Sequence, residues 1–117
     1  MLMADQPDGN TPAATGKHDQ MVENAAQAAR FLKALSHEGR LMILCHLVPG
    51  EKTVTELETL LGLRQAAVSQ QLARLRLEGL VECRRDGKTI HYRLADHRPR
   101  RMLETLYELF CNDMTRD

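Results

Sequence analysis

The sequence predicts a mainly α-helical domain with one small β-hairpin, in the order α-α-α-α-β-β-α. Three observations predict it. Apolar residues recur at spacings of three and four along most of the chain. The period changes to two from Leu80 to Leu94, with Asp86-Gly87, the strongest short hairpin signal, in the middle. Pro49-Gly50, Gly62 and Gly79 punctuate the helical segments. The length, 117 residues, is that of one domain.

Residues 1–18, rich in Pro, Gly, Thr and Asp and without periodicity, are expected to form a disordered tail, leaving 19–117 as the folded domain. From Asp19, Val22, Ala25, Ala29, Leu32 and Leu35 mark a helix whose small alanines allow another helix to approach closely. Ser36 is placed to cap the next helix, from His37 to about Val48. Thr53 and Glu56 form a capping box for a short helix carrying Val54, Leu57, Leu60 and Leu61, which stops at Gly62. Arg64 to Glu78 is the next helix, with Val68, Leu72 and Leu75 on its inner side. In the hairpin a two-residue turn at Asp86-Gly87 pairs Arg85 with Lys88, Cys83 with Ile90 and Val81 with Tyr92. That puts Arg84 and His91 on the outer face and makes Cys83 a packing residue. A last helix runs from about His97 to Asp113 with Leu103, Leu106 and Phe110 on one stripe.

Composition narrows the function. Apolar residues make up 43% but aromatics only 3%, so the core is built from aliphatic side chains and a partner subunit would help cover it. The longest apolar run, Leu41 to Cys45, is far short of a membrane span. With no secretory signal pattern at the start and three cysteines that make no disulfide framework, a reducing cytoplasm is expected. The formal net charge of zero conceals a segregation. Residues 64–101 hold ten basic and four acidic side chains, whereas residues 1–63 hold five and eight and residues 102–117 one and four. A basic block of this kind usually meets phosphate.

A short helix, a tight Gly turn and a second helix with a polar outer face make a helix-turn-helix, and the basic hairpin that follows makes a wing. With Val68, Leu72 and Leu75 inward, the opposite face of the second helix presents Ala66, Gln70, Ala73 and Arg74, flanked by Gln65, Ser69 and Arg76. Gln65, Ala66, Ser69 and Gln70 stand where base edges are reached, and glutamine can pair bidentately with adenine. Arg74 joins them on the DNA-binding face, and the wing residues Arg84, Arg85 and Lys88 suit phosphate or minor-groove contacts, which position without specifying. Double-stranded DNA is therefore the expected partner. A thiol enzyme is not expected: there is no Cys-x-x-Cys, and the adjacent Cys45 and His46 point about 100° apart on a helix.

Ala34-Leu35-Ser36-His37-Glu38-Gly39-Arg40-Leu41-Met42-Ile43-Leu44, with Ala67-Val68-Ser69-Gln70-Gln71-Leu72-Ala73-Arg74-Leu75-Arg76-Leu77-Glu78-Gly79-Leu80-Val81, resembles the ArsR/SmtB family of winged-helix repressors over about residues 20–115. The resemblance implies a homodimer built from the first and last helices, an inverted-repeat operator, and release by an inducer. The Ala-rich first helix and the Leu103/Leu106/Phe110 stripe independently favour a dimer, being more apolar surface than one chain covers.

Metal sensing, frequent in that family, is poorly served here. The stretch Val54–Leu60, where one family site has Cys-x-Cys, has neither Cys nor His. Asp96 and His97 match the start of another site, but Leu109 and Asn112 stand where its later ligands belong. No metal or other cofactor is expected. Cys45 and Cys111, 66 positions apart, lie near the ends of the second and last helices. On the residues alone each reads first as a small packing residue, and only second as half of a pair meeting at the helix seam. Leu41–Cys45 together with Leu103–Cys111 resembles the BigR/SqrR-like branch of the family, which senses sulfide and persulfides. There the matching cysteines are a sensing dithiol, so the resemblance implies a repressor that releases its operator when reactive sulfur species cross-link Cys45 and Cys111. The alternative is a metal- or peroxide-responsive repressor of the same family; repressor or anti-repressor action depends on the operator's location.

Overall fold

The computed structural model describes residues 12–111, with side chains from residue 16 onward. The chain divides into two compact units, one up to Lys33 and one from Ala34. The first unit is a single long helix, α1 (Pro12–Leu35), whose last two residues fall in the second unit. Periodicity places its start at Asp19; the helix in fact runs from Pro12, so residues 12–18 of the expected tail are helical, and the earlier ones lie outside the described residues. Proline suits a first helical position, where its missing N–H has no intrahelical partner, and two alanines follow it. Met21, Val22, Ala29 and Leu32 of α1 are exposed.

The second unit opens with the buried Ala34 and Leu35 and turns into α2 (Glu38–Leu47). Arg40 Nε donates to the Ala34 carbonyl at 2.7 Å and fastens this turn. The cap of α2 is His37 rather than Ser36. His37 is the extended residue directly before the helix, and its Nδ1 accepts the Gly39 N–H at 3.1 Å. Ser36 stands one position too early for that reach.

The helix-turn-helix follows as α3 (Val54–Leu61) and α4 (Gln65–Leu77). The expected capping box is present: Glu56 N–H donates to Thr53 Oγ1 at 3.1 Å, and Thr53 N–H donates to Glu56 Oε1 at 2.8 Å. Gly62 ends α3 with φ +66°, a left-handed conformation that costs other residues energy. Arg64 and Glu78, the expected ends of α4, are its two flanking caps.

The sheet has three strands where two are expected. Lys52–Thr53 (β1) pairs with β3 (Thr89–Leu94), which also pairs with β2 (Val81–Asp86), all antiparallel in the order β1-β3-β2. The hairpin register also departs from expectation. Asp86 pairs with Thr89, Arg85 with Ile90, Cys83 with Tyr92 and Val81 with Leu94, so the turn is Gly87-Lys88. An Asp86-Gly87 turn of the favoured kind needs positive φ at both residues. Among the described residues no non-glycine has positive φ, so within this turn Gly87 takes it, at +67°, and Asp86 does not. The slip moves the pairing by two, so the same residues still share each face: Val81, Cys83, Ile90 and Tyr92 on one, Arg84 and His91 on the other.

The last helix, α5, runs His97–Phe110 with Cys111 as its C-cap; residues 112–117, including the expected end at Asp113, lie outside the described ones. Asp96 caps its start, accepting the Arg98 N–H at 2.8 Å. The core is aliphatic as composition demands: Ile43, Leu44 and Leu47 of α2, Leu57 of α3, Val68, Leu72 and Leu75 of α4, Leu80 and Val81 at the hairpin, Leu94, and Leu103 of α5. α2 packs against α3, α4 and α5, so the middle of the core is its inner face.

Candidate nucleic-acid interface and thiol pair

Burial of Val68, Leu72 and Leu75 fixes the rotation of α4 and turns Gln65, Ala66, Ser69, Gln70, Ala73 and Arg74 to solvent. The expected reading face is therefore the exposed face. Alanines keep it low, and Gln and Ser supply donors and acceptors. Arg74 is ion-paired with Glu78 at 3.2 Å, one turn along the helix. α4 begins without a side-chain cap at Arg64 and with no acidic residue in its first turn, so its N-terminal end is left electropositive.

The wing divides its cations into two groups. Arg85 and Lys88, near and in the turn, are exposed and make no ion pair among the described residues. Arg84 is engaged: its Nε lies 3.0 Å from both carboxylate oxygens of Glu51, and Nη2 lies 2.9 Å from Oε1. Arg93 donates to Glu51 at 3.2 Å and to Glu82 at 3.0 Å. The Arg84 hydrogen bond is the largest influence holding the Glu51 carboxyl below the usual range, with Arg93 adding to it. Glu51 and Arg93 were not among the site residues read from the sequence; their partners lie 33 and 42 positions apart, beyond any local pattern.

Cys45, Cys83 and Cys111 are all free thiols. Cys45 is exposed on the last turn of α2, and Cys111 is half-buried at the end of α5. The two helices that carry them pack against each other. Desolvation, and then the Cys111 charge, push the Cys45 thiol above its ordinary value. Cys83 is half-buried on the inner face of the hairpin, opposite Tyr92. Beyond Leu103, α5 opens to solvent: Leu106 is half-buried, while Tyr107, Leu109 and Phe110 are 52%, 71% and 75% exposed.

Residues 37–82 match the family described as bacterial regulatory protein, arsR family. The biofilm growth-associated repressor of Agrobacterium fabrum is 47% identical over 91 residues, spanning 78% of each chain. The chain belongs to the arsR family. Another relative, the transcriptional activator HlyU of Vibrio cholerae, is 44% identical over 79% of this chain and 85% of its own. The solved reduced form of that HlyU superposes with a TM-score of 0.75 at 43% identity, covering 79% of this chain and 97% of the other. A homodimeric winged helix-turn-helix DNA-binding domain from Mycobacterium bovis superposes with a TM-score of 0.71 at 30% identity, over 98% of this chain and 96% of the other.

Among the described residues no cluster of three or more His, Cys, Asp or Glu is arranged to hold a metal ion. Asp96 is occupied by the Arg98 backbone and guanidinium, with Nη2 at 3.0 Å. No helix among the described residues is long and apolar enough to cross a membrane.

Proposed function

We propose that this arsR-family protein is a dithiol-based transcriptional repressor. As a reduced homodimer it binds an inverted-repeat operator, and it lets go when reactive sulfur species join Cys45 to Cys111. The observation that carries this reading is the placement of two free thiols, Cys45 on the last turn of α2 and Cys111 at the C-cap of α5, on helices that pack against each other. The exposed α4 face and the unpaired wing cations Arg85 and Lys88 support duplex binding. Tyr107, Leu109 and Phe110, exposed together on α5, support a dimer, the state named for the Mycobacterium bovis domain.

The chemistry balances. One cysteine thiolate attacks the outer sulfur of a persulfide RSSH and expels RS⁻, which leaves as RSH, forming a protein persulfide. The second thiolate attacks the protein-bound sulfur and expels HS⁻. The two cysteines have then lost two electrons to the outer sulfur, which departs as hydrogen sulfide. If both cysteines are persulfidated first, they condense to a trisulfide with loss of one hydrogen sulfide. A longer bridge spans a thiol pair set wider than the roughly 7 Å Cα separation a disulfide tolerates. A hundredfold loss of operator affinity needs about 2.7 kcal/mol, within the usual range of allosteric coupling.

The test is a gel shift with wild type and Cys111→Ser, with and without persulfide. Cys111→Ser is expected to bind the duplex as tightly as wild type and to stay bound after treatment, while wild type is released about a hundredfold. Release of Cys111→Ser to the wild-type extent would overturn the dithiol.

A further inference from the structure

The outer face of the wing carries a charge arrangement that phosphate binding alone does not require. Glu82, Arg84, His91 and Arg93 share one face of the β2–β3 ladder, with Arg84 opposite His91 and Glu82 opposite Arg93. Beside them, Thr53 of β1 is paired with His91, which brings the residue two before it, Glu51, to the same face. Its carboxylate takes Arg84 on both oxygens and Arg93 on one, and Arg93 turns its other nitrogen to Glu82. Two cations and two anions cancel. All four side chains remain about a quarter to a half exposed, so the network sits within reach of solvent and of anything docked there.

Surface ion pairs like these add little to stability. Their effect on DNA binding is larger, because each free guanidinium that meets a phosphate releases counterions and steepens the salt dependence. We propose that Glu51 is a specificity-determining residue: by engaging Arg84 and Arg93 it withholds them from the phosphate backbone, leaving Arg85 and Lys88 as the wing's phosphate ligands and restraining sequence-independent binding. Arg84 is then a brace of the wing rather than a DNA contact. The inference rests on the duplex-binding part of the proposed function and is independent of the thiols.

The experiment measures binding of the full chain to a random-sequence duplex over a salt series. For Glu51→Gln, the slope of log affinity against log salt is expected to steepen by about one to two per subunit, since each added phosphate contact contributes about 0.9. Affinity at low salt rises severalfold. Glu58→Gln, which removes an acidic charge holding no arginine, leaves the slope unchanged, as does Arg84→Gln in the otherwise wild-type chain. Lys88→Gln flattens it by about one. An unchanged or flatter slope for Glu51→Gln, the result of a purely structural brace, would overturn the inference; so would a flattening by about one in Arg84→Gln. A wild-type chain that binds no duplex at low salt would overturn the duplex-binding reading and this inference together.

Discussion

Cys45 is exposed, yet its thiol is harder to ionise than an ordinary one, chiefly through desolvation and secondarily through the neighbouring Cys111. The thiolate is the reacting form, so Cys45 is not pre-activated at neutral pH; its reactivity is gained as pH rises. Alkylation of Cys45 by iodoacetamide is therefore expected to accelerate about tenfold per pH unit through neutrality, with no plateau below about pH 8.5. In Cys111→Ser the midpoint moves down, because the Coulomb repulsion goes while desolvation stays. Quench-and-map mass spectrometry measures it, and a plateau near pH 7 would contradict the assignment. At this scale the sequence shows where the cysteines fall on their helices but not that Cys45 faces solvent. Periodicity also presents Arg84 as an outward wing cation, as it is. Its partner Glu51, 33 positions away, emerges only once β1 has docked on β3.

Elements whose ends are set by local hydrogen bonds follow the sequence closely. The Thr53–Glu56 box and the Gly62 stop need only residues within one turn, and α3 runs between them. Thr53→Ala is expected to destabilise the fold by about 1 kcal/mol, read from urea unfolding, since it leaves the Glu56 N–H without its acceptor. An unchanged midpoint would show that the cap carries no stability. Elements decided by long-range pairing are less legible. β1 is two residues long and has no pattern of its own; pairing of Lys52 with Tyr92 and Thr53 with His91 makes it a strand. The hairpin register turns on whether Asp86 or Gly87 takes the first turn position, and Gly87 wins because positive φ costs it least. For α2, the capping distance favours His37 over the better capping residue beside it.

Across the whole molecule, α2 is the element through which the proposed thiol chemistry would reach the proposed reading face. Its inner residues Ile43, Leu44 and Leu47 are buried in the same core as Leu72 and Leu75 of α4, and its last turn carries Cys45. A close-packed core does not deform continuously, so in the proposed switch a bond at one end of α2 would favour one packing over another and re-aim α4. The architecture was legible because α2, α3 and α4 each carry their own stop signal and the change of period marks the wing. The start of α1 was not, because an alanine-rich segment has no apolar stripe to mark its beginning. Of the apolar stripe that composition offers to a second chain, Leu103 is buried in the chain's own core, and the exposed end of α5 is the part left for the proposed dimer.

The most direct measurement is tryptic mapping of persulfide-treated protein, for which the sequence is well cut: Cys45, Cys83 and Cys111 fall on separate peptides, residues 41–52, 77–84 and 102–116. The expected product joins 41–52 to 102–116 through two or more sulfur atoms and appears in step with loss of operator binding. Release from DNA with those two peptides unlinked, or with the link made to 77–84 instead, would contradict the assignment of Cys45 and Cys111 as the switch.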